Sequence, residues 1–321
     1  MTAHGLTDQE WKPNLFIAGF NKCGTTELCD YLSQHPDIFL PFDKEPNTFW
    51  DLPKYPPYFS GDRTGNRKYR RFSNMDEYYE MFSKGKKYRY RIDGTVSYTF
   101  DPKFSRILKS FSENAKVILL IRDQTHRLAS MYFFSLIRHK ENDFGKWLND
   151  YFIPYIETYL YYDKVAAYYH EFGHDNNLRI IETKNLSSED VHKQIFEYLE
   201  VEPVKINITH KNATLLGPED SKAYRKLILT LTSIKLRTLT VGQSIGLGNE
   251  TNRLWYMIGD LGRQAIKGNS KRNNYSDIIK LIPRDVSSII EEDCRKSLNF
   301  VVQHKIIIRP TYQNLQEAYD N

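Results

Sequence analysis

Hydrophobic and polar positions recur along the chain in one order: a short apolar run, a polar turn, then an amphipathic stretch. Leu15-Phe16-Ile17-Ala18-Gly19-Phe20, bounded by Asn14 and Asn21, reads as a buried strand. A helix is predicted from about Thr25, with Leu28, Tyr31 and Leu32 on one face, and His35-Pro36 ends it because proline cannot continue the hydrogen-bond ladder. Lys116 to Ile121 is a second buried strand, followed from near Thr125 by a long helical pattern through Leu128, Met131, Tyr132 and Leu136. Leu178 to Glu182 is a third. Ser187 with Asp190 opens the next helix as a variant capping box, and that helix buries Val191, Ile195, Tyr198 and Leu199. Asp76 to Phe82 reads as a short helix and Asp93 to Tyr98 as a turn leading to a loop. Ala223 to Leu236 and Ser287 to Val302 read as helical, while Gly242 to Gly262 fits neither period.

Strands alternating with helices predict an α/β fold, a parallel sheet flanked by helices on both faces, with a mostly helical C-terminal part. In such sheets ligands bind at the carboxyl ends of the strands. The 321 residues, 40% of them apolar, suffice for a sizeable core. They are read as a single domain, with its motifs in 14–215 and a helical portion over 220–321.

Composition narrows the picture modestly. The net charge of +5 suits an anionic ligand without requiring one. Three cysteines, Cys23, Cys29 and Cys294, do not make a disulfide framework, and no second pair or nearby histidine completes a zinc site around the first two. The N-terminus has no basic stretch leading into an apolar one, and no run approaches the roughly 18 apolar residues of a membrane span. The expectation is a cytoplasmic protein without membrane contact.

Two candidate sites fall at strand ends. Gly19 to Thr26, GFNKCGTT, joins the first strand to the first helix. Unpaired N–H groups at a helix N-terminus attract anions, Gly24 permits close backbone approach, and Thr25 and Thr26 add hydroxyls. The P-loop of an ATPase places lysine directly after the second glycine. Here Thr25 holds that position and Lys22 comes earlier. A plain tight turn is the competing reading. At the second strand's end stands Arg122, with Arg127 and then Ser130 on the helix that follows. An arginine fork and a serine hydroxyl can converge on one phosphate. A capping arginine and a solvent-facing serine would be the plain alternative.

Together these segments resemble the sulfotransferases that use 3′-phosphoadenosine-5′-phosphosulfate (PAPS), in the branch of the heparan sulfate sulfotransferases and bacterial relatives. Lys22-Cys23-Gly24-Thr25-Thr26 is similar to that family's 5′-phosphosulfate loop, and Val117 to Tyr132 to its 3′-phosphate motif. Lys44-Glu45-Pro46, Asp93 to Tyr98 and Ile181 to Leu186 are looser matches, in the right order. Cys23, Asp93 and the Thr183-Lys184 insertion depart from the pattern.

The resemblance implies Lys22, Cys23, Gly24, Thr25 and Thr26 around the 5′-phosphosulfate, Arg122 and Ser130 on the 3′-phosphate, and Lys211 as a further contact. It implies Lys22 as the cation at the leaving oxygen, Glu45 as the acceptor's base, and PAP as product, with no metal. His35 is a rival base, but its place beside the helix-ending proline suits a cap. Lys44 could bridge sulfate oxygens. A small-molecule or saccharide acceptor is expected, through a hydroxyl or an amine. The basic, tyrosine-rich stretch from Gly61 to Arg91 reads as a solvated loop or as a dock for an anionic acceptor. Two rivals remain: a small-molecule P-loop kinase, against which the order of the loop speaks, and a nucleic-acid-binding protein, for which no recognised motif is present.

Overall fold

This structure, a computed structural model, describes residues 11–49, 75–139, 143–208 and 275–309. Its frame is a parallel sheet of six strands: β1 (Leu15–Ile17), β2 (Ile38–Phe39), β3 (Tyr90–Asp93), β4 (Lys116–Ile121), β5 (Leu178–Glu182) and β6 (Ile307–Ile308). The spatial order is β2-β3-β1-β4-β5-β6. The three strands predicted from apolar runs form its centre and right half. Leu15 pairs with Ile92 on one side and with Lys116 on the other, and Leu119 pairs with Ile180. The run after β1 stays attached to β4, Ala18 donating to Ile118 and Phe20 to Leu120.

The helices of six residues or more among the described residues are α1 (Thr25–Leu32), α2 (Met75–Ser83), α3 (Lys103–Phe111), α4 (Gln124–His139), α5 (Tyr162–Tyr168), α6 (Glu189–Leu199), α7 (Tyr275–Lys280) and α8 (Arg284–Gln303). They form two groups. α1 and α6 meet through Tyr31 against His192, and His35 beyond α1 meets Phe196. α3 packs on α5, α5 on α8, and α8 and α7 on α4. Between them lies a buried apolar core of Leu15, Phe16, Ile17, Leu28, Ile118, Leu119, Leu120, Ile180 and their neighbours. A second apolar cluster gathers Leu128, Met131, Trp147, Phe152 and Ile290 around α4.

Two expectations need correction. Asp93, expected to open a turn, is instead the last residue of a strand, Tyr90–Asp93. Only Val96–Thr99, a single tight helical turn, follows it. The cap of α6 is Ser188 rather than Ser187, and no side chain accepts at that cap, so the capping box does not form. The described C-terminal residues are mostly helical, in α7 and α8, and α8 leads into β6, which lies parallel to β5. The stretches 223–236 and 242–262 lie outside the described residues.

The chain leaves β1 toward β2 on one side of the sheet and leaves β4 toward β5 on the other. The connections therefore diverge between the carboxyl ends of β1 and β4, where a crevice for a ligand opens in such sheets. Both candidate loops begin there.

Candidate active site

The first loop is shaped by two residues with positive φ, Lys22 at 65° and Gly24 at 88°. Gly24 is also the residue preceding α1, and a Cβ there would lie 2.6 Å from Leu186 Cδ1. A side chain at 24 would thus be strained by conformation and blocked by contact. The result is a backbone cradle at the N-terminus of an eight-residue helix. Thr25 opens the helix, and Thr26 follows it, half-buried. The ammonium of Lys22 rests 4.4 Å from the centre of the Phe134 ring on α4.

A second cation reaches the same loop. Lys44, just beyond β2, donates to Thr25 Oγ1 at 3.2 Å and pairs with Glu45 at 2.7 Å. Thr25 occupies the position that lysine holds in an ATPase loop, so here the charge arrives from another element. The turn carrying Lys44 and Glu45 is fixed to the end of β3. Gly94 N–H donates to Lys44 O, and a Cβ on Gly94 would meet Cys29 Sγ at 2.8 Å and Lys44 Cγ at 3.0 Å. Asn47 donates from its backbone to Thr95 Oγ1 and from its side chain to Glu45 O, and it accepts from Ser97.

Asp93 anchors this arrangement. Fully buried, it accepts from Tyr78 at 2.8 Å, from Tyr98 at 3.0 Å and from both the hydroxyl and the N–H of Thr95. Burial raises its carboxyl to about 6 despite those donors. The departure from the family pattern at Asp93 therefore leaves a supporting carboxyl group with four donors.

The second loop begins at Arg122, which immediately follows β4. Its guanidinium lies 5.6 Å from the Tyr275 ring and donates to Lys22 O at 3.4 Å. The two loops are therefore in direct contact. Ser130 sits in the second turn of α4, 2% exposed. Arg127, also 2% exposed, turns inward instead, with three donations: to Asn21 O, Asn21 Oδ1 and Tyr159 O. Phe20, Tyr159 and Tyr161 surround its guanidinium. A buried charge is tolerable only when bonded in this way. Arg127 thus clamps the start of the first loop.

Two further ties were not apparent from the sequence. Thr183 Oγ1, after β5, lies 2.8 Å from Cys23 O and 3.0 Å from Ile121 O. Tyr161 Oη lies 3.5 Å from Cys23 Sγ, donates to Arg122 O at 3.0 Å and accepts from Arg122 N at 3.4 Å. Burial pushes the Cys23 thiol up, against the opposing pull of Arg127, so it stays protonated and packs as part of the core. Only a local signal, the aromatic run through Tyr161 and Tyr162, marked this segment.

The structure therefore brings Lys22, Gly24, Thr25, Lys44, Glu45 and Arg122 to one rim, while Cys23 turns into the core. His35 is committed elsewhere: its Nδ1 accepts from Asp37 N–H, so Nε2 carries the proton and donates to Glu202 O at 2.8 Å. The cap expected of it falls to Ser33 instead, and the His35 ring bonds outside α1. Lys211 and most of the basic 61–91 stretch lie outside the described residues. Among the described residues no cluster of metal-ligating side chains occurs, and all three cysteines are free.

A six-stranded parallel sheet with a glycine loop before a helix, and paired cationic loops at its switch point, defines a phosphate-loop-like α/β protein. The family model of the sulfotransferase domain matches residues 12–213, and the chain belongs to that family. It is 30% identical over 130 residues to the membrane-associated sulfotransferase kil1 of Dictyostelium discoideum, a match spanning 40% of this chain and 24% of that relative's length. The crystal structure of a sulfotransferase from Alicyclobacillus acidocaldarius superposes with a TM-score of 0.51 at 24% identity, covering 67% of this chain and 92% of that one. Among the described residues no helix is long and apolar enough to cross a membrane.

Proposed function

We propose that the chain transfers a sulfuryl group from PAPS to a hydroxyl or amine of a small-molecule or saccharide acceptor, by in-line displacement. The observation that carries this is the contact between the two cationic loops, Arg122 Nη1 on Lys22 O, at the switch point of a sulfotransferase-family sheet. One loop suits a 5′-phosphosulfate and the other a 3′-phosphate, and a single nucleotide bearing both would span them.

The residues fit that donor. The Gly24 cradle leaves no room for a side chain and offers helix N-terminal N–H groups. Lys22, Lys44 and Arg122 supply fixed positive charge. The donor brings an activated sulfuryl group on a good leaving phosphate. What this chain's residues do is position and neutralise. Thr25 and Thr26 hold the 5′ end, while Arg122 and Ser130 hold the 3′ end. Lys22 faces the charge that develops on the bridging oxygen. Glu45 receives the acceptor's proton, held in place by Lys44 and Asn47. Lys211 is assigned a further contact with the nucleotide. No step in this scheme calls for a metal.

Calorimetric titration with adenosine 3′,5′-bisphosphate, beside adenosine 5′-monophosphate and ATP with Mg²⁺, tests the reading. Metal-independent preference for the bisphosphate supports it. Preference for ATP with Mg²⁺ would make the chain a kinase instead. The same reading assigns the reaction to the cytoplasm, in keeping with three unpaired cysteines, and recovery of the protein with the membrane fraction of its cells would overturn that assignment.

A further inference from the structure

Tyr161 is buried beside both anion loops without belonging to either. Its hydroxyl touches Cys23 of the first loop at 3.5 Å, and both backbone groups of Arg122 in the second. Its ring packs tilted against Phe20, with centroids 4.2 Å apart, and lies 5.0 Å from the Arg127 guanidinium. Its backbone is held from a distant part of the chain. Asp293, buried on α8, accepts from Tyr161 N at 2.6 Å, from Tyr162 N at 3.1 Å and from Gln124 Nε2 at 2.5 Å. Gln124 is the first residue of α4. One carboxylate therefore fixes the start of the helix that carries Ser130 and the residue that bridges the two loops.

We infer that Tyr161, seated by Asp293, is a positioning residue that sets the separation of the two anion loops and so makes the site selective for nucleotides phosphorylated at both ends. The inference rests on the proposed donor reading, in which one ligand spans both loops. A ligand held at two points gains from the second contact only if the spacing matches it. A ligand with one anionic end uses one loop and is indifferent to the spacing. This gives Tyr161 a signature that an ordinary core tyrosine would not have.

The test is Tyr161→Phe in the full chain, which keeps the ring against Phe20 and removes only the hydroxyl. Loss of one buried hydrogen-bonding group corresponds to about a tenfold weakening. The expected result is about that loss of affinity for adenosine 3′,5′-bisphosphate, with adenosine 5′-monophosphate affinity nearly unchanged. Equal losses for the two nucleotides, or no loss for the bisphosphate, would overturn the inference. Thr183→Val cuts the other tie, to Cys23 O and Ile121 O, and is expected to give the same selective loss. It decides the matter should Tyr161→Phe fail to fold. A wild-type protein without preference for the bisphosphate would instead remove the donor reading, and the inference with it.

Discussion

The ammonium of Lys44 lies 2.7 Å from a carboxylate oxygen of Glu45. The same nitrogen donates to Thr25, so the proposed base and the first loop share one cation. Glu45→Gln keeps the shape of the side chain and removes its basicity. Turnover is expected to fall by about 10²–10⁴-fold, the range of a lost general base, while the dissociation constant for adenosine 3′,5′-bisphosphate stays at its wild-type value. Unchanged turnover would place the base elsewhere.

Lys22→Ala is expected to abolish transfer while the thermal unfolding midpoint stays put, since the ammonium rests on Phe134 at the rim and holds no core together. Near-wild-type turnover in that variant would remove Lys22 from the mechanism. Gly24→Ala should behave differently. With φ at 88° and Leu186 in the way, it is expected to cost about 1–3 kcal/mol in unfolding free energy and to weaken nucleotide binding together.

Arg122→Ala is expected to weaken bisphosphate binding by about 2–5 kcal/mol, as for a lost charged contact in a desolvated site. Calorimetry with and without a chelator reads both the loss and its independence from divalent metal. A dissociation constant equal to that of the wild type would move the 3′-phosphate away from this loop.

Asp93 makes stability depend on pH in an unusual direction. Burial raises its carboxyl from 3.8 to about 6, so between those values the folded chain keeps a proton that the unfolded chain has released. Its contribution is present below that window and is lost as pH rises through it, so unfolding free energy should decline toward pH 6 and then level. Urea unfolding across this range is expected to show the decline in the wild type and not in Asp93→Asn. A flat profile in the wild type would mean that the Tyr78, Tyr98 and Thr95 donors fully offset burial.

The sequence made β1 and β4 legible because each is an apolar run buried on both faces, and β5 through Leu178, Ile180 and Ile181, which are buried around the half-buried Arg179. β3 escaped because it reads Tyr-Arg-Ile-Asp, and only tertiary partners make its charges tolerable: Lys12 O and Tyr88 O accept from Arg91, while tyrosines satisfy Asp93. The same contrast runs through the site. Lys22, Thr25 and Arg122 could be found because a strand, a turn and a helix stand together in the sequence. Tyr161 and Cys23 are separated by 138 positions, and Asp293 and Tyr161 by 132. No local period announces such pairs. Arg127 was visible as a residue, but its inward turn toward Asn21 was not.

The distance along the chain from the first loop to Asp293 has a consequence for biogenesis. A nascent chain displays GFNKCGTT early, and the Arg122 loop follows, yet neither is seated until α8 has emerged and its carboxylate can take hold of Gln124 and Tyr161. The strand pairing of Ile180 with Ile307 waits for still later residues. On the proposed reading, nucleotide binding therefore waits for residues 293–308, and an intermediate that lacks them is expected to carry the loops without the grip.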